Sequence, residues 1–418
     1  HAYYAKMQAE APVFEAAAPG APLRLVTRYA DVLNVVLDTD TFSSRFDTGG
    51  AVGDSNYAAR LKALYEAEGG YDRPGTMLTA DPPDHTRYRK LVSKAFTPRV
   101  IAGLEPVIRE ITVGLIDQLL ALMAPAPNEP IEFVEAFAVP VPVTVIAKAL
   151  NVPDDRLDDF KRWSDASIAG IGTNISADER LAAEREIIEY QHYFAAQINR
   201  RRTEPEDDIL TNLLNARIDV SADGEPVSTE PLTMAEMLSI IQQLLVAGNE
   251  TTTKMLTEMV RLLGEHPDEF AALRAATLAG DENGAKAVVE ETLRLSTPTQ
   301  GMFRVVTTDT EVAGVEVPAG SRVVVMFSAA NRDQSVFDAP DSFCPGREGA
   351  LNHLAFGKGI HHCIGAALSR LEGKVAAEEL SRRFSALRLA DTNDFAYHPS
   401  FMLRGLMRLD VHLTPAEL

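Results

Sequence analysis

The sequence is poor in cysteine, poor in basic residues and free of long apolar runs. Cys344 and Cys363 are the only cysteines among 418 residues, so no disulfide framework is expected and a reducing cytoplasm is the expected location. No run of about 18 apolar residues and no signal-peptide pattern is present, so we expect no membrane anchor. Asp and Glu number 60 against 40 Lys and Arg, and the net charge of −20 argues against nucleic acid as a partner.

What the chain does contain is an ordinary globular composition, with 46% hydrophobic and 24% charged residues. Apolar residues recur with a helical period from 103 to 265, and the period changes to two after Pro298. We therefore predict a mainly α fold with a minor antiparallel β part, in one domain over residues 1–418. The β-rich parts are expected near residues 20–30, 303–327 and 387–413.

Several elements can be bounded from their patterns. The longest helix is predicted over Thr233–Gly264, where Thr233 and Glu236 form a capping-box signature. The remaining predicted elements are a strand at Leu23–Val26, helices at Tyr29–Leu37 and Tyr57–Glu68, an irregular loop over Asp47–Met77, a loop or hairpin at Val220–Glu230, and short strands at Phe303–Thr307, Glu311–Val312, Glu316–Val317 and Arg322–Phe327.

One stretch, Phe356–Gly365, combines several glycines with Cys363 just before a helical pattern. We predict that the helix begins within a residue or two of Cys363, where free backbone N–H groups favour the thiolate. The glycines suggest close approach by something bulky, so the stretch is interpreted as a loop that presents a thiolate to a large flat cofactor. An inert buried cysteine is the alternative. Zinc held by His361, His362 and Cys363 is disfavoured, because three adjacent side chains cannot converge on one ion.

The middle of the long helix is unusually polar. It reads Ala247-Gly-Asn-Glu-Thr-Thr252, and glycine, asparagine and threonine all oppose helix formation. Such a conflict is expected at a functional site, where Leu244, Ala247, Gly248 and Thr251 share one face and a planar ligand or O₂ could approach. A harmless packing notch with a threonine bonded to its own helix is the alternative.

Two charged pairs also have helical spacing. His85 and Arg89 stand four residues apart and could form either a binding face or a solvated basic face. Glu291 and Arg294 stand three apart, and an exposed pair of this kind contributes only a few tenths of a kcal/mol. Neither pair indicates a function by itself.

Taken together and in order, these motifs resemble the cytochrome P450 haem-thiolate monooxygenases, soluble bacterial type. Phe356-Gly-Lys-Gly-Ile-His-His-Cys-Ile-Gly365 is similar to that family's haem-binding loop. Ala247–Thr252 is similar to its oxygen-activating motif, with Glu250 where many members have Asp. Glu291 and Arg294 resemble its Glu-x-x-Arg pair, and Arg347 matches the third partner of that pair.

The resemblance implies a haem b cofactor and a role for each matched residue. Cys363 would be the axial thiolate of the iron, with Phe356 shielding the sulfur. Thr251 and Glu250 would deliver protons on the oxygen-binding side of the haem. Residues implied to contact the haem or its propionates are His85, Arg89, Ala247, Gly248, Arg304, Phe356, Gly357, His361, Cys363 and Gly365, while Glu291, Arg294 and Arg347 would support the loop.

The implied reaction inserts one atom of O₂ into a hydrophobic small molecule such as a terpenoid, steroid, fatty acid or aromatic compound. Electrons would come from NAD(P)H through a separate ferredoxin, because peroxide-dependent members typically lack the acid–alcohol pair. The ferredoxin would dock near the thiolate face, on basic residues that suit an acidic donor. These are Arg87, Lys90, Lys94, Lys358, Arg370 and Lys374.

The resemblance also places the substrate pocket and the expected state of the chain. The implied pocket residues are mainly apolar: Met77, Leu78, Ile168, Leu244, Ala247, Pro298, Thr299, Met302 and Phe401. We expect a monomer. The alternatives are a peroxygenase driven by H₂O₂ and a haem-thiolate binding or sensor protein without catalysis.

Overall fold

A computed structural model of the chain describes residues 3–17, 22–46, 56–93, 96–169, 175–206, 208–216 and 230–417. Two predicted loops lie partly outside the described residues. Of the predicted loop Asp47–Met77, residues 47–55 are not described, and of the predicted loop or hairpin Val220–Glu230, residues 220–229 are not described. Among the described residues, no helix is both long enough and apolar enough to cross a membrane.

Helices dominate the structure, as predicted. Their bounds are α1 Tyr4–Glu10, α2 Tyr29–Leu37, α3 Tyr57–Glu68, α4 Asp84–Ser93, α5 Pro98–Gly103, α6 Glu105–Met123, α7 Pro140–Ala149, α8 Leu157–Ile168, α9 Ala177–Arg201, α10 Ile209–Asn215, α11 Met234–Glu265, α12 Pro267–Leu278, α13 Glu282–Ser296, α14 Phe327–Ala330 and α15 Ala366–Arg383. Helices α2 and α3 have the predicted bounds. Helix α11 begins with the predicted capping box, since the Glu236 amide donates to Thr233 Oγ1 at 3.2 Å and the Thr233 amide donates to Glu236 Oε2 at 2.7 Å.

The strands are short. They are β1 Val13–Ala16, β2 Leu23–Val26, β3 Phe42–Ser43, β4 Ile131–Glu132, β5 Met302–Val306, β6 Thr310–Val312, β7 Val315–Val317, β8 Arg322–Val325, β9 Phe384–Leu389 and β10 Asp410–Pro415. They form a five-stranded sheet in the order β1-β2-β8-β5-β3, a three-stranded sheet β4-β10-β9 and the hairpin β6-β7. The fold class is confirmed, with helices as the major part.

Two details of the prediction are wrong. The largest sheet is mixed rather than antiparallel, because β2 pairs with β8 in parallel, and a pattern of apolar residues does not reveal strand direction. The strand predicted to reach Phe327 ends at Val325, since Phe327 begins α14. The tail strands, β9 and β10, overlap the β-rich part expected near residues 387–413, and the segment between them contains Arg404 and Gly405.

The described chain forms two compact units, each assembled from separate segments. The first contains residues 1–42, 101–145 and 248–418, and the second contains residues 43–100 and 146–247. The prediction of one domain over 1–418 stays a prediction.

In the first unit, α13 and α6 both pack on α15. Its core includes Phe133, Phe137, Met255 and Phe384, all fully buried. In the second unit, Trp163 of α8 is fully buried against Tyr190 and Phe194 of α9. Each unit therefore has an apolar centre of its own.

We predict that Phe384→Ala lowers the free energy of unfolding by roughly 3–5 kcal/mol, because it removes a fully buried ring and leaves a cavity. Urea denaturation followed by circular dichroism measures the shift in midpoint. Leu122→Ala is the control, because Leu122 is 62% exposed, and we expect its effect to stay within about 0.5 kcal/mol. Equal midpoints for the two variants would contradict the position of Phe384 in the core.

Candidate functional site

The cysteine loop is closed by backbone hydrogen bonds. The amide of Cys363 donates to the carbonyl of Phe356 at 2.9 Å, and the amide of Gly357 donates to the carbonyl of Leu354 at 2.9 Å. Gly357 and Gly359 have φ of 65° and 71°, a region that disfavours other residues. The side chain of Cys363 is half-buried, so the thiol is neither sealed in the core nor fully solvated.

Helix α15 starts later than the sequence predicted. Its first residue is Ala366 and its N-cap is Gly365, so Cys363 lies in the loop three residues before the helix. The prediction placed the start of the helix too early. Ile364 is an apolar residue in the loop, and such a residue can match the helical period by chance. The dipole of α15 acts on the thiol less than expected, since this effect falls off outside the first turn.

The ring of Phe356, at the start of the cysteine loop, contacts a charged cluster formed by Arg370, His353 and Glu290. The guanidinium of Arg370 lies 4.5 Å from the centre of the ring, and the ring of His353 lies 5.8 Å away. Glu290 accepts hydrogen bonds from Arg370 at 2.5 Å and from His353 at 2.9 Å. Burial alone would raise the pKa of Glu290, but these hydrogen bonds outweigh it and lower the pKa to about 2. Sequence reasoning missed this cluster, since Glu290 stands beside the more recognisable Glu291.

Glu291 and Arg294 form a buried pair rather than the exposed pair considered from the sequence. Both side chains are 0% exposed, and Arg294 donates two hydrogen bonds of 2.8 Å to the Glu291 carboxylate. Arg347 donates to the same carboxylate at 3.1 Å, and the amide of Cys344 does so at 3.0 Å. The structure therefore brings together the three residues that the family resemblance grouped.

This carboxylate network is linked to the cysteine loop through Asn331. Arg294 donates to the carbonyl of Asn331 at 2.9 Å, and the side-chain oxygen of Asn331 accepts from the amide of Leu354 at 2.6 Å. Leu354 in turn accepts from Gly357, at the start of the loop. Asn331 is fully buried. It lies in an irregular segment, where the sequence offered no periodicity to mark it.

The polar centre of α11 remains helical without a break. Ala247 is exposed, whereas Gly248, Glu250 and Thr251 are half-buried. Glu250 is paired with Lys254, with 2.5 Å between Oε2 and Nζ. An ion pair one turn along the same helix therefore offsets part of the unfavourable local propensity.

Helix α11 contacts α15, the helix that follows the cysteine loop. The contact is made by the residue that follows Thr251. Thr252 donates to Ser369 Oγ of α15 at 3.3 Å. A Cβ added at Gly373 of α15 would lie 2.8 Å from Met255 Cε. The two helices that carry the predicted thiolate and proton-delivery motifs are thus packed against each other within the first unit.

Glu372 of α15 is a buried acid beside this contact. It is 2% exposed, and its Oε2 atom has no hydrogen-bond partner among the described residues. Burial raises the pKa of Glu372 to about 8, although a hydrogen bond with Thr252 partly opposes the rise. Glu372 is therefore mainly protonated at neutral pH. Sequence reasoning missed this burial, because a glutamate in an amphipathic helix is ordinarily exposed.

The predicted propionate partners belong to both units. In the second unit, His85 of α4 is 2% exposed, and Arg89 on the same helix is half-buried. Burial and the positive charge of Arg89 lower the pKa of His85, against a smaller opposing effect of Asp81. In the first unit, Arg304 of β5 is 5% exposed and His361 is half-buried. The solvated-face interpretation of His85 is wrong.

The predicted pocket residues also divide between the units. In the second unit, Gln243, next to Leu244, accepts from the amide of Leu78 at 3.3 Å. Gln242 of the same helix donates to Ser167, beside Ile168, at 2.9 Å. Met77 and Leu244 are buried, Ile168 is half-buried and Leu78 is 41% exposed.

In the first unit, the segment after α13 pairs with the tail. Thr299 forms an isolated bridge with Leu403, and the amide of Arg404 donates to the carbonyl of Pro298 at 2.8 Å. Phe401 lies with its ring 6.5 Å from that of Phe303, next to Met302. The two late segments predicted to line a pocket are therefore neighbours.

Three of the six predicted docking residues are already paired with acidic side chains. Arg87 is 14% exposed and bound to Glu236 at 2.7 Å, and Arg370 is bound to Glu290. Lys374 is 8% exposed and lies within 3.4 Å of three glutamates. Lys90 and Lys358 are exposed, and Lys94 lies outside the described residues. The proposed basic surface was wrong for the three paired residues, because long-range pairing cannot be read from local charge.

Comparison with known proteins identifies the family. The family described as Cytochrome P450 matches residues 51–404. The chain is 37% identical to Cytochrome P450 107B1 of Saccharopolyspora erythraea, over 98% of this chain and 94% of that protein. It is 35% identical to Vitamin D(3) 25-hydroxylase of Pseudonocardia autotrophica, over 99% of this chain and 94% of that protein. The solved structure of CYP109E1 from Bacillus megaterium in complex with testosterone matches with a TM-score of 0.79 and 30% identity, over 98% of each chain.

The chain belongs to the cytochrome P450 family. It is accordingly a monooxygenase with a haem-thiolate cofactor, haem b. The residues of the first unit fit that cofactor: the Cys363 loop offers a half-buried sulfur, and Arg304 offers a buried guanidinium suited to a carboxylate.

We predict that Glu372→Gln makes stability less sensitive to pH. Because the pKa of folded Glu372 is about 8 and that of an unfolded glutamate is about 4.3, the folded chain binds the extra proton between these values. Stability from this group is therefore lost as pH rises through that window. Relative to wild type, the variant should gain on the order of 1–3 kcal/mol between pH about 5 and pH about 8.

Urea unfolding at several pH values measures this gain. Glu110→Gln is the matched control, because Glu110 is exposed on α6 and should leave the pH dependence unchanged. If Glu372→Gln and wild type ran parallel across the range, the protonated state of buried Glu372 would be contradicted.

Proposed function

We propose that this chain inserts one oxygen atom of O₂ into a bulky apolar small molecule, with electrons from NAD(P)H delivered by a separate ferredoxin and its reductase. The observation that carries the proposal is the acid–alcohol pair Glu250–Thr251 in an unbroken helix. The next residue, Thr252, contacts the helix that follows the Cys363 loop. A proton source beside the cofactor-binding loop suits O₂ reduction, whereas a protein that only senses a ligand has no use for it.

The chain's own residues have distinct tasks in this proposal. Cys363 would supply the thiolate that holds the haem iron, and Phe356, held by Arg370, would cover the sulfur and limit the access of water. When bound, the haem supplies the O₂ activation and oxidation chemistry. Thr251 orients a water by hydrogen bonding through its hydroxyl, and Glu250 exchanges protons with that water through its carboxylate.

Four further residues hold the propionates of the haem in this proposal. His85, Arg89, Arg304 and His361 carry nitrogen groups that pair with carboxylates. A carboxylate near His85 would also offset the burial and the Arg89 charge that lower its pKa. Cofactor binding and protonation of His85 are then coupled.

The proposed substrate class rests on two relatives and on the apolar residues assigned to the pocket. One relative is named for 25-hydroxylation of vitamin D(3), and another was solved in complex with testosterone. Both compounds are large and mainly apolar. Met77, Leu244, Pro298 and Met302 supply apolar surface of the kind such compounds require. We therefore propose a large, mainly apolar polycyclic substrate in preference to a small aromatic one.

The electron donor and the cellular context are part of the same proposal. The exposed lysines Lys90 and Lys358 remain candidates for contact with an acidic ferredoxin. Cys344 and Cys363 do not form a disulfide with each other, as suits a reducing cytoplasm. We propose that the protein works there as a monomer.

We predict that Thr251→Ala lowers the ratio of product formed to NADH consumed about tenfold or more and raises H₂O₂ release, because the water that carries the proton is no longer held. The assay uses ferredoxin, its reductase, O₂ and whichever of vitamin D(3) or testosterone shifts the haem spin state. Thr253→Ala is the control, since two residues along α11 place Thr253 about 200° around the helix.

Unchanged coupling in Thr251→Ala would remove that residue from proton delivery. If wild type made product with H₂O₂ but not with ferredoxin and O₂, the peroxygenase alternative would replace the proposed function.

A further inference from the structure

The proton-delivery acid proposed above is bound to a lysine on its own helix. Lys254 follows Glu250 by four residues, and their side chains are 7% and 12% exposed. The 2.5 Å contact between Nζ and Oε2 is therefore shielded from bulk water, where an attraction between charges is stronger than at an exposed surface. Glutamate four residues before lysine is also the favourable order on a helix.

Lys254 is seated by the tail of the chain. A Cβ added at Gly405 would lie 2.3 Å from Lys254 Cγ, 3.0 Å from its Cδ and 3.1 Å from its Cβ. The aliphatic stem of the lysine thus lies directly on the Gly405 backbone, and any larger residue there would displace it. The neighbouring Arg404 is itself fixed over the ring of Tyr397, at 3.5 Å from its centre.

The next acid along α11 is already engaged elsewhere. Glu258 lies one turn beyond Lys254, and its carboxylate pairs with Arg261 at 2.8 Å. It also accepts a hydrogen bond of 3.4 Å from Ser296. Among the described residues, Lys254 forms an ion pair with Glu250 alone. A buried ammonium that loses its counter-charge is costly, so the lysine holds the carboxylate in place.

We propose that Lys254, seated on Gly405, is a positioning residue that fixes the rotamer of the Glu250 side chain for proton delivery. The inference rests on the proposed function and extends it to two residues outside the family motif. An ion pair that only stabilised the helix would affect folding but would leave product coupling intact.

The main test compares Lys254→Met, Lys254→Arg, Glu250→Gln and the double variant Glu250→Gln/Lys254→Met as holoenzymes. We expect Lys254→Met to lower the product-to-NADH ratio at least threefold with KM unchanged, and Lys254→Arg to recover most of the loss. The product-to-NADH ratio of the double variant should be no lower than that of Glu250→Gln alone, because the two changes disrupt the same proton-delivery function. Testosterone serves as the probe if it shifts the spin state, and vitamin D(3) otherwise.

A second readout does not depend on turnover. Urea midpoints of the same four variants should be non-additive, because each single change leaves a buried charge without its partner while the double change removes both. Gly405→Ala should reproduce part of the Lys254→Met loss in coupling. Gly114→Ala is the matched control, since a Cβ at Gly114 would meet nothing within 4 Å.

The outcomes separate this inference from the function on which it rests. If wild type shows no turnover with ferredoxin and O₂, both are overturned. If wild type is well coupled and Lys254→Met is equally well coupled, only the role of Lys254 is overturned. A Lys254→Met loss that simply adds to the Glu250→Gln loss would also overturn it, as would additive urea midpoints.

Discussion

The buried Glu291 carboxylate is the constraint on which the rest of the first unit depends. It accepts hydrogen bonds from Arg294, from Arg347 and from the amide of Cys344, with no exposure to water. Leaving such a charge without partners costs about 3–5 kcal/mol, so the irregular segment that supplies them is held to one arrangement. Through Asn331, the same network reaches the backbone of the cysteine loop.

This connection explains how an irregular loop can hold a reactive sulfur in a defined place. Phe356 is fixed from one side by the guanidinium of Arg370, which is itself bound by Glu290. The two adjacent glutamates of α13 thus have different structural roles. Glu291 anchors the segment that leads into the loop, and Glu290 holds the arginine that contacts the ring of Phe356. Helix α11 adds a third constraint, since Thr252 and Met255 pack on α15 just beyond the loop.

Much of this organisation could be predicted from the sequence, because it depends on local patterns. Periodicity located α2, α3 and α11, and the Thr233 signature located the start of α11. The motif around Cys363 indicated the family because it combines residue types that rarely occur together. The parallel pairing of β2 with β8 could not be predicted, since both directions give the same alternation.

Burial and long-range pairing account for the remaining errors. Arg87 and Lys374 were interpreted as a docking surface, yet glutamates from distant segments neutralise them. Glu372 matches a solvated helix position in sequence and is fully enclosed in the fold. The spacing of Glu250 and Lys254 was visible from the start, but only the structure shows that Gly405 leaves room for the lysine.

The claim at the centre of this account is that Cys363 is the axial ligand of the haem iron. The most direct measurement is the absorption spectrum of the reduced, carbon-monoxide-bound protein, taken for wild type, Cys363→Ser and Cys344→Ser. We predict the long-wavelength Soret band of thiolate ligation in wild type and in Cys344→Ser, and its loss in Cys363→Ser. A Cys363→Ser protein that kept this band, or a wild-type spectrum of the histidine-ligated kind, would contradict the assignment.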